Sequence, residues 1–179
     1  MLYIVTALKS EAQAFVDAYK LKKSRINSYT LFSNKSLTII VSGVGITNAR
    51  LATQTLFDYF DMNQDDIIVN IGVCGAPSHT PIGTLLRIDT IVYNTTHYHL
   101  TPHTHNTLAC IDTPATHHTT YVDMESFGFY DAITHNPAIQ NYAIFKVVSD
   151  HFQPHTLTKD MVKQLIFQKK DAILKQLNF

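Results

Sequence analysis

The chain has 179 residues, 45% of them hydrophobic and 16% charged, with basic and acidic counts of 14 each. That length suits one domain, expected over residues 1–179, and zero formal charge argues for neither nucleic acid nor an acidic membrane surface as partner. No uncharged apolar run approaches the roughly 20 residues of a membrane span, the N-terminus lacks a basic leader region, and the two cysteines sit in apolar runs, so a cytoplasmic protein with reduced thiols is expected.

Leu2 to Ala7 is an apolar run rich in β-favouring residues and predicts a buried first strand. Ser10 is placed to cap a short helix carrying Phe15, Ala18 and Tyr19 at helical spacing, with Glu11 in its first turn. Residues 27–32 and 37–42 predict a hairpin closed by Ser33-Asn34-Lys35-Ser36. Ser42-Gly43-Val44-Gly45 then leads into a helix over 48–60, with Ala49, Ala52, Leu56 and Phe60 on one face. Two glycines between strand and helix allow either close approach of a ligand to backbone or simply a tight turn. Residues 67–72 predict a central strand, Gly72 and Gly75 a small-residue loop at its end, and residues 84–93 one further strand. Residues 94–106 are rich in Thr and His and predict irregular structure, followed by a short strand over 108–111 that Asp112-Thr113-Pro114 terminates. A helix over 124–133, a last strand over 143–148 and an amphipathic helix over 157–177 complete the chain.

Alternating strands and helices predict an α/β protein, a three-layer α/β/α arrangement on a central mixed sheet. Ligands in such sheets bind beyond the carboxyl ends of the strands. Glu11, Ser42-Gly43, Gly72, Asp112, Asp123-Met124-Glu125 and Ser149-Asp150 all fall at those predicted ends. Of the 14 acidic residues, 12 are Asp and only Glu11 and Glu125 are Glu. Carboxylates meeting at one sheet edge can perform acid–base chemistry if burial separates their pKa values. Taken singly, Asp150 is equally a cap for a following turn and Glu11 a favourable charge at a helix start.

Six stretches, in order along the chain, resemble the nucleoside phosphorylase and nucleosidase superfamily. They are Ala7-Leu8-Lys9-Ser10-Glu11, Ser42-Gly43-Val44-Gly45-Ile46-Thr47-Asn48-Ala49, Val69-Asn70-Ile71-Gly72-Val73-Cys74-Gly75, Ile82-Gly83-Thr84-Leu85, Val122-Asp123-Met124-Glu125-Ser126 and Val147-Val148-Ser149-Asp150. The chain is most similar to a shortened 5′-methylthioadenosine/S-adenosylhomocysteine nucleosidase. The resemblance implies a purine nucleoside phosphorylase-like fold and hydrolysis of the N-glycosidic bond of a purine nucleoside. The substrate would be 5′-methylthioadenosine, S-adenosylhomocysteine or a related 5′-modified nucleoside such as a futalosine, with no cofactor, no metal and a role in methionine salvage. It implies that Asp150 donates a proton to purine N7 with Ser149 orienting it, that Glu125 takes the ribose hydroxyls over Met124, and that Glu11 activates water. Lys146 stands where the family has Arg near that water. Leu8, Val44, Gly72 and Val73 would line the pocket, with Pro114 and Ala115 at the base edge.

A transition state with a ribosyl cation and a charged leaving base fits a proton donor at the base and anions near the sugar. Phosphorylases need cations for phosphate. Only Arg25, Arg50 and Arg87 exist here, none in the matching stretches, and Asn70 stands where hexameric phosphorylases have Arg. Water is therefore the expected nucleophile; a phosphorylase and a non-catalytic nucleoside-binding relative are the alternatives. The family's habit implies a homodimer. The shortening is expected between Tyr93 and Leu108 and between Ile111 and Tyr121. His97, His99, His103, His105, His117 and His118 are expected to be polar loop residues rather than metal ligands, for want of a supporting Cys or spaced carboxylate.

Overall fold

The computed structural model describes residues 1–100 and 105–179. β1 (Leu2–Thr6) leads into α1 (Lys9–Tyr19), then β2 (Lys22–Ile26), β3 (Tyr29–Ser33), β4 (Leu37–Val41) and α2 (Ile46–Tyr59). Next come β5 (Ile67–Gly75), β6 (Leu85–Arg87), β7 (Thr90–Tyr93), β8 (Thr96–His99), β9 (Thr107–Cys110) and β10 (Tyr121–Asp123). The chain ends with α3 (Ser126–Thr134), β11 (Asn141–Asp150) and α4 (Lys159–Gln176).

Among the described residues the strands form one mixed sheet in the order β2-β3-β4-β1-β5-β10-β9-β7-β8. β5 is its hub: it pairs in parallel with β1 on one side and with β11 on the other, and its last residue meets β10. Its period-2 alternation sends Ile68 and Cys74 into one core, Val69 and Ile71 into the other. α2 and α3 cover the first face through Ala52, Leu56, Phe129 and Ile133. α1 and α4 cover the second through Ala12, Phe15, Ile166 and Ile173. The result is the three-layer α/β/α arrangement with a mixed sheet.

α2 and α3 approach so closely that a Cβ built on Gly128 would lie 2.0 Å from the Ile46 carbonyl oxygen. Glycine is needed there for space.

Several local expectations are corrected. The predicted hairpin is a three-stranded meander, because exposed Lys22–Arg25 pairs as an edge strand with β3. Its charged pattern hides a strand that needs only one hydrogen-bonded neighbour, and lysines protect such edges. Gly72 to Gly75 are not a loop but the end of β5, paired with β11. Residues 84–93 are two strands with different partners, β6 on β11 and β7 between β8 and β9. Thr96–His99, expected to be irregular, is an edge strand. His97 and His99 lie on it with ring centroids 6.5 Å apart, while His103 lies outside the described residues. No group of three His, Cys, Asp or Glu side chains that could hold a metal occurs among the described residues. No helix there is long and apolar enough to cross a membrane.

Candidate active site

β1 ends at Thr6 and α1 begins at Lys9, with extended Leu8 as the N-cap and Ser10 already inside the helix. The cap is supplied by Glu11 and not by Ser10: its Oε2 accepts the Leu8 amide at 2.8 Å. Oε1 accepts the Val73 amide of β5 at 3.0 Å. One carboxylate thus ties a helix start to the central strand and is only 2% exposed. Burial raises its pKa, while the Leu8 and Val73 amides and the Lys146 charge work against that rise. Gly72 makes the room, since a Cβ there would lie 2.9 Å from Glu11 Oε1 and 3.4 Å from Lys146 Nζ.

Asp123 and Glu125 flank Met124 at the junction of β10 and α3, and both are buried. Glu125 Oε1 accepts the Gly45 amide at 2.9 Å. Gly45 has φ +108°, a conformation closed to most side chains, and this aims its N–H at the carboxylate. Burial, followed by the Asp123 charge, pushes Glu125 up to about 7 against the opposing pull of Lys146 and the Gly45 amide. Asp123 is held by other partners. Its Oδ1 accepts the Ser126 hydroxyl at 2.6 Å, and its Oδ2 accepts the Ser126 amide at 2.9 Å. Lys146 Nζ pairs with the same Oδ2 at 2.8 Å. Burial works against the Lys146 charge, but Asp123, Glu125 and Glu11 outweigh it and hold the ammonium above its usual range.

Ser149 and Asp150 are the last residues of β11. The Asp150 Oδ1 accepts the Gln153 amide at 2.7 Å, and Ser149 Oγ lies 2.7 Å from Oδ2. Asp150 therefore does cap the following turn, as its sequence position allowed. The Ser149 hydroxyl also lies 3.1 Å from the Cys74 carbonyl. Its single hydrogen serves one of these acceptors at a time. When it is on Cys74, Ser149 Oγ is free to accept from a protonated Asp150, so the pair accommodates both forms of the acid.

These groups meet at one cavity of about 520 Å³, inside the roughly 300–1,000 Å³ range of small-molecule sites. Glu11, Met124, Glu125, Ser149 and Asp150 all contribute to its wall, with Leu8, Val44, Val73, Pro114 and Ala115. Gly72 and Lys146 do not; they stand behind the wall, one leaving space and the other supplying charge. Asp112, expected at the same edge, is exposed and outside the cavity. Sequence reasoning missed Asp123 as the partner of Lys146. No local pattern signals that pairing: Asp123 ends β10, Lys146 lies within β11, and only the fold brings them to 2.8 Å. Sequence reasoning also missed Phe152, Pro154 and Leu157, which enter the wall only because the chain after β11 folds back over it. Cys74 lines the cavity, and burial pushes its thiol far up, keeping it neutral.

Residues 2–119 match the model of the phosphorylase superfamily, and the chain belongs to that superfamily. No curated protein sequence matches significantly. Among solved structures, the chain is similar to a 5′-methylthioadenosine/S-adenosylhomocysteine nucleosidase from Colwellia psychrerythraea in complex with adenine. That match has 16% identity and a TM-score of 0.81, over 99% of this chain and 94% of that one. It is similar to the nucleosidase of S. pneumoniae with a transition-state inhibitor, at 13% identity and TM-score 0.78 over 98% and 97% of the two chains. A mutant of the Helicobacter pylori enzyme with 5′-methylthioadenosine in its active site matches at 10% identity and TM-score 0.80, over 99% and 97%. At these identities the likeness establishes the fold.

Proposed function

We propose that this member of the phosphorylase superfamily hydrolyses the N-glycosidic bond of a purine nucleoside and releases the base. One observation carries the reading: Glu11, Glu125 and Asp150, more than a hundred residues apart at the extremes, line one cavity together with Met124 and Ser149. The solved structures of the same fold with adenine and 5′-methylthioadenosine bound support the substrate class.

In this reading Asp150 protonates the departing base, and the Ser149 hydroxyl steadies either form of the carboxyl. The bond from the anomeric carbon to the base breaks as the base takes up that proton. Glu11 accepts the proton of the attacking water, whose oxygen joins the anomeric carbon. Burial makes Glu11 a stronger base than an exposed carboxylate. Glu125 accepts the ribose hydroxyls, and Met124 packs under the sugar. Both carboxylates stabilise positive charge developing on the ring. Pro114 and Ala115 border the base, while Leu8 and Val44 border the sugar. Lys146 acts from behind the wall, lowering the cost of holding Glu11 and Glu125 ionised side by side. A cytoplasmic homodimer working in methionine salvage belongs to the same reading, and light scattering of the purified protein tests the dimer.

Base release from 5′-methylthioadenosine, followed by chromatography with and without phosphate, tests the activity. Asp150→Asn and Glu11→Gln are expected to lower kcat by about 100-fold or more. Strict dependence on phosphate would make the enzyme a phosphorylase. Tight binding without turnover would favour a nucleoside-binding relative. Full activity in both variants would refute the site.

A further inference from the structure

Lys146 stands among three carboxylates and pairs with one of them. The charges of Asp123, Glu125 and Glu11 all hold its ammonium in place against burial. Among the described residues its ion-pair partner is Asp123 alone, at 2.8 Å. Glu11 is close by, since a Cβ on Gly72 would lie 2.9 Å from Glu11 Oε1 and 3.4 Å from Lys146 Nζ. An ammonium has three donors, and away from water a bond to any of these carboxylates is strong. What settles the choice is how firmly Asp123 is held. The Ser126 hydroxyl donates to Oδ1 at 2.6 Å and the Ser126 amide to Oδ2 at 2.9 Å, so the first residue of α3 grips both oxygens. Asp123 belongs to the cavity wall, but its side chain is 0% exposed and that of Lys146 1%. Neither charged group meets a ligand. Glu125 lines the same wall and is assigned to the sugar.

Two arrangements of these charges have different consequences. With the ammonium on Asp123, the hydrogen bond that Glu125 makes among the described residues comes from the Gly45 amide to Oε1. Oε2 is left for the ribose hydroxyls. With the ammonium on Glu125, a charge-assisted bond occupies the oxygens that the ribose needs. A buried ion pair is commonly a structural tie that apolar side chains could replace. This one lies beside two carboxylates assigned to substrate and water, and the lysine is drawn to the third, which touches neither. We propose that Asp123 is a positioning residue that anchors Lys146 away from Glu125 and so keeps the Glu125 oxygens free for the sugar. This rests on the nucleosidase reading and adds to it a residue that acts through another.

Binding of a nucleoside and of its base, measured side by side, is the test. The probes are 9-deazaadenosine, whose carbon–carbon glycosidic link cannot be hydrolysed, and adenine, which lacks the sugar. Calorimetry on the full chain is run at about pH 9, where Glu125, standing at about 7, is ionised. In Asp123→Asn the amide oxygen still accepts from Ser126 but no longer holds the ammonium by charge. Affinity for 9-deazaadenosine is expected to fall by about tenfold or more, as a hydrogen bond to a charged group allows, while that for adenine stays within about twofold. Asp123→Asn/Lys146→Met removes the intruding cation, and nucleoside affinity returns to within about threefold of the unaltered chain. Unchanged nucleoside affinity in Asp123→Asn overturns the proposal. A parallel loss of adenine binding also overturns it, by making the pair a purely structural tie. If Asp123→Asn does not fold, the double variant decides, because a loss of about tenfold or more in its nucleoside affinity overturns the proposal by itself. Failure of the unaltered chain to bind 9-deazaadenosine overturns the nucleosidase reading as well, whereas binding that ignores both substitutions overturns only the anchoring role.

Discussion

Replacing Lys146 by Met removes the ammonium that faces Glu11, Asp123 and Glu125. Its side chain is 1% exposed, that of Asp123 is 0% exposed, and the pair is 2.8 Å apart. Water cannot take over the lost contact without opening the sheet. Removing one member of a buried pair costs about 3–5 kcal/mol. Asp123 keeps two hydrogen bonds from Ser126, which places the expected loss at the lower end, about 3 kcal/mol. Asp123→Asn in the same chain removes the stranded charge while keeping an oxygen for Ser126. The double variant should therefore recover about 2 kcal/mol, a coupling that a double-mutant cycle measures by urea unfolding. The loss also depends on pH. Glu125 stands at about 7 in the fold against an ordinary value of 4.5, and Lys146 is among the charges holding it down. A carboxyl raised on folding contributes stability that is complete below its unfolded pKa and disappears as pH rises through its folded pKa. Without Lys146, Glu125 is raised further, so the deficit is smallest near about pH 5 and grows toward about pH 8. A loss under about 1 kcal/mol, or strict additivity in the cycle, would mean that the pair is solvated like a surface ion pair and would refute this reasoning.

Gly72→Ala puts a methyl group 2.9 Å from Glu11 Oε1 and displaces it from the Val73 amide. Steady-state kinetics should show kcat reduced by about tenfold or more with a smaller change in KM, because a misplaced base harms the transition state most. Gly128→Ala meets the Ile46 carbonyl at 2.0 Å, and backbone cannot yield as a side chain does; unfolding should reveal a loss near about 3 kcal/mol, at the upper end for overpacking. If ionised Glu125 accepts the ribose hydroxyls, nucleoside affinity should rise with pH through about 7, and calorimetry on Glu125→Gln should show that limb flattened.

The overall layering was legible from the chain because it rests on short-range pattern. Apolar strands alternating with amphipathic helices admit few arrangements other than helices on both faces of a sheet. The candidate site was legible for a related reason. Its carboxylates sit at junctions where a strand hands over to a helix or turn, and such junctions show in sequence as a change of period. Glu11 and Asp150 also show why a single position could not be decided locally. Each is a cap as well as a member of the cavity wall, and the cap alone explains its residue type.

What the sequence determined by itself is the identity and order of the groups available for chemistry. Glu11 and Glu125 stand out in a chain that otherwise uses Asp, and Met124, Ser149 and Asp150 accompany them. What only the tertiary structure decided is which of these groups share a surface and which charges answer one another. Strand pairing sets Lys146 beside Gly72, and the turn into α3 brings Asp123 to that lysine. The physical reason is range. Period and capping act within a few residues, whereas Coulomb forces and burial act through space between segments whose separation along the chain says nothing of their distance.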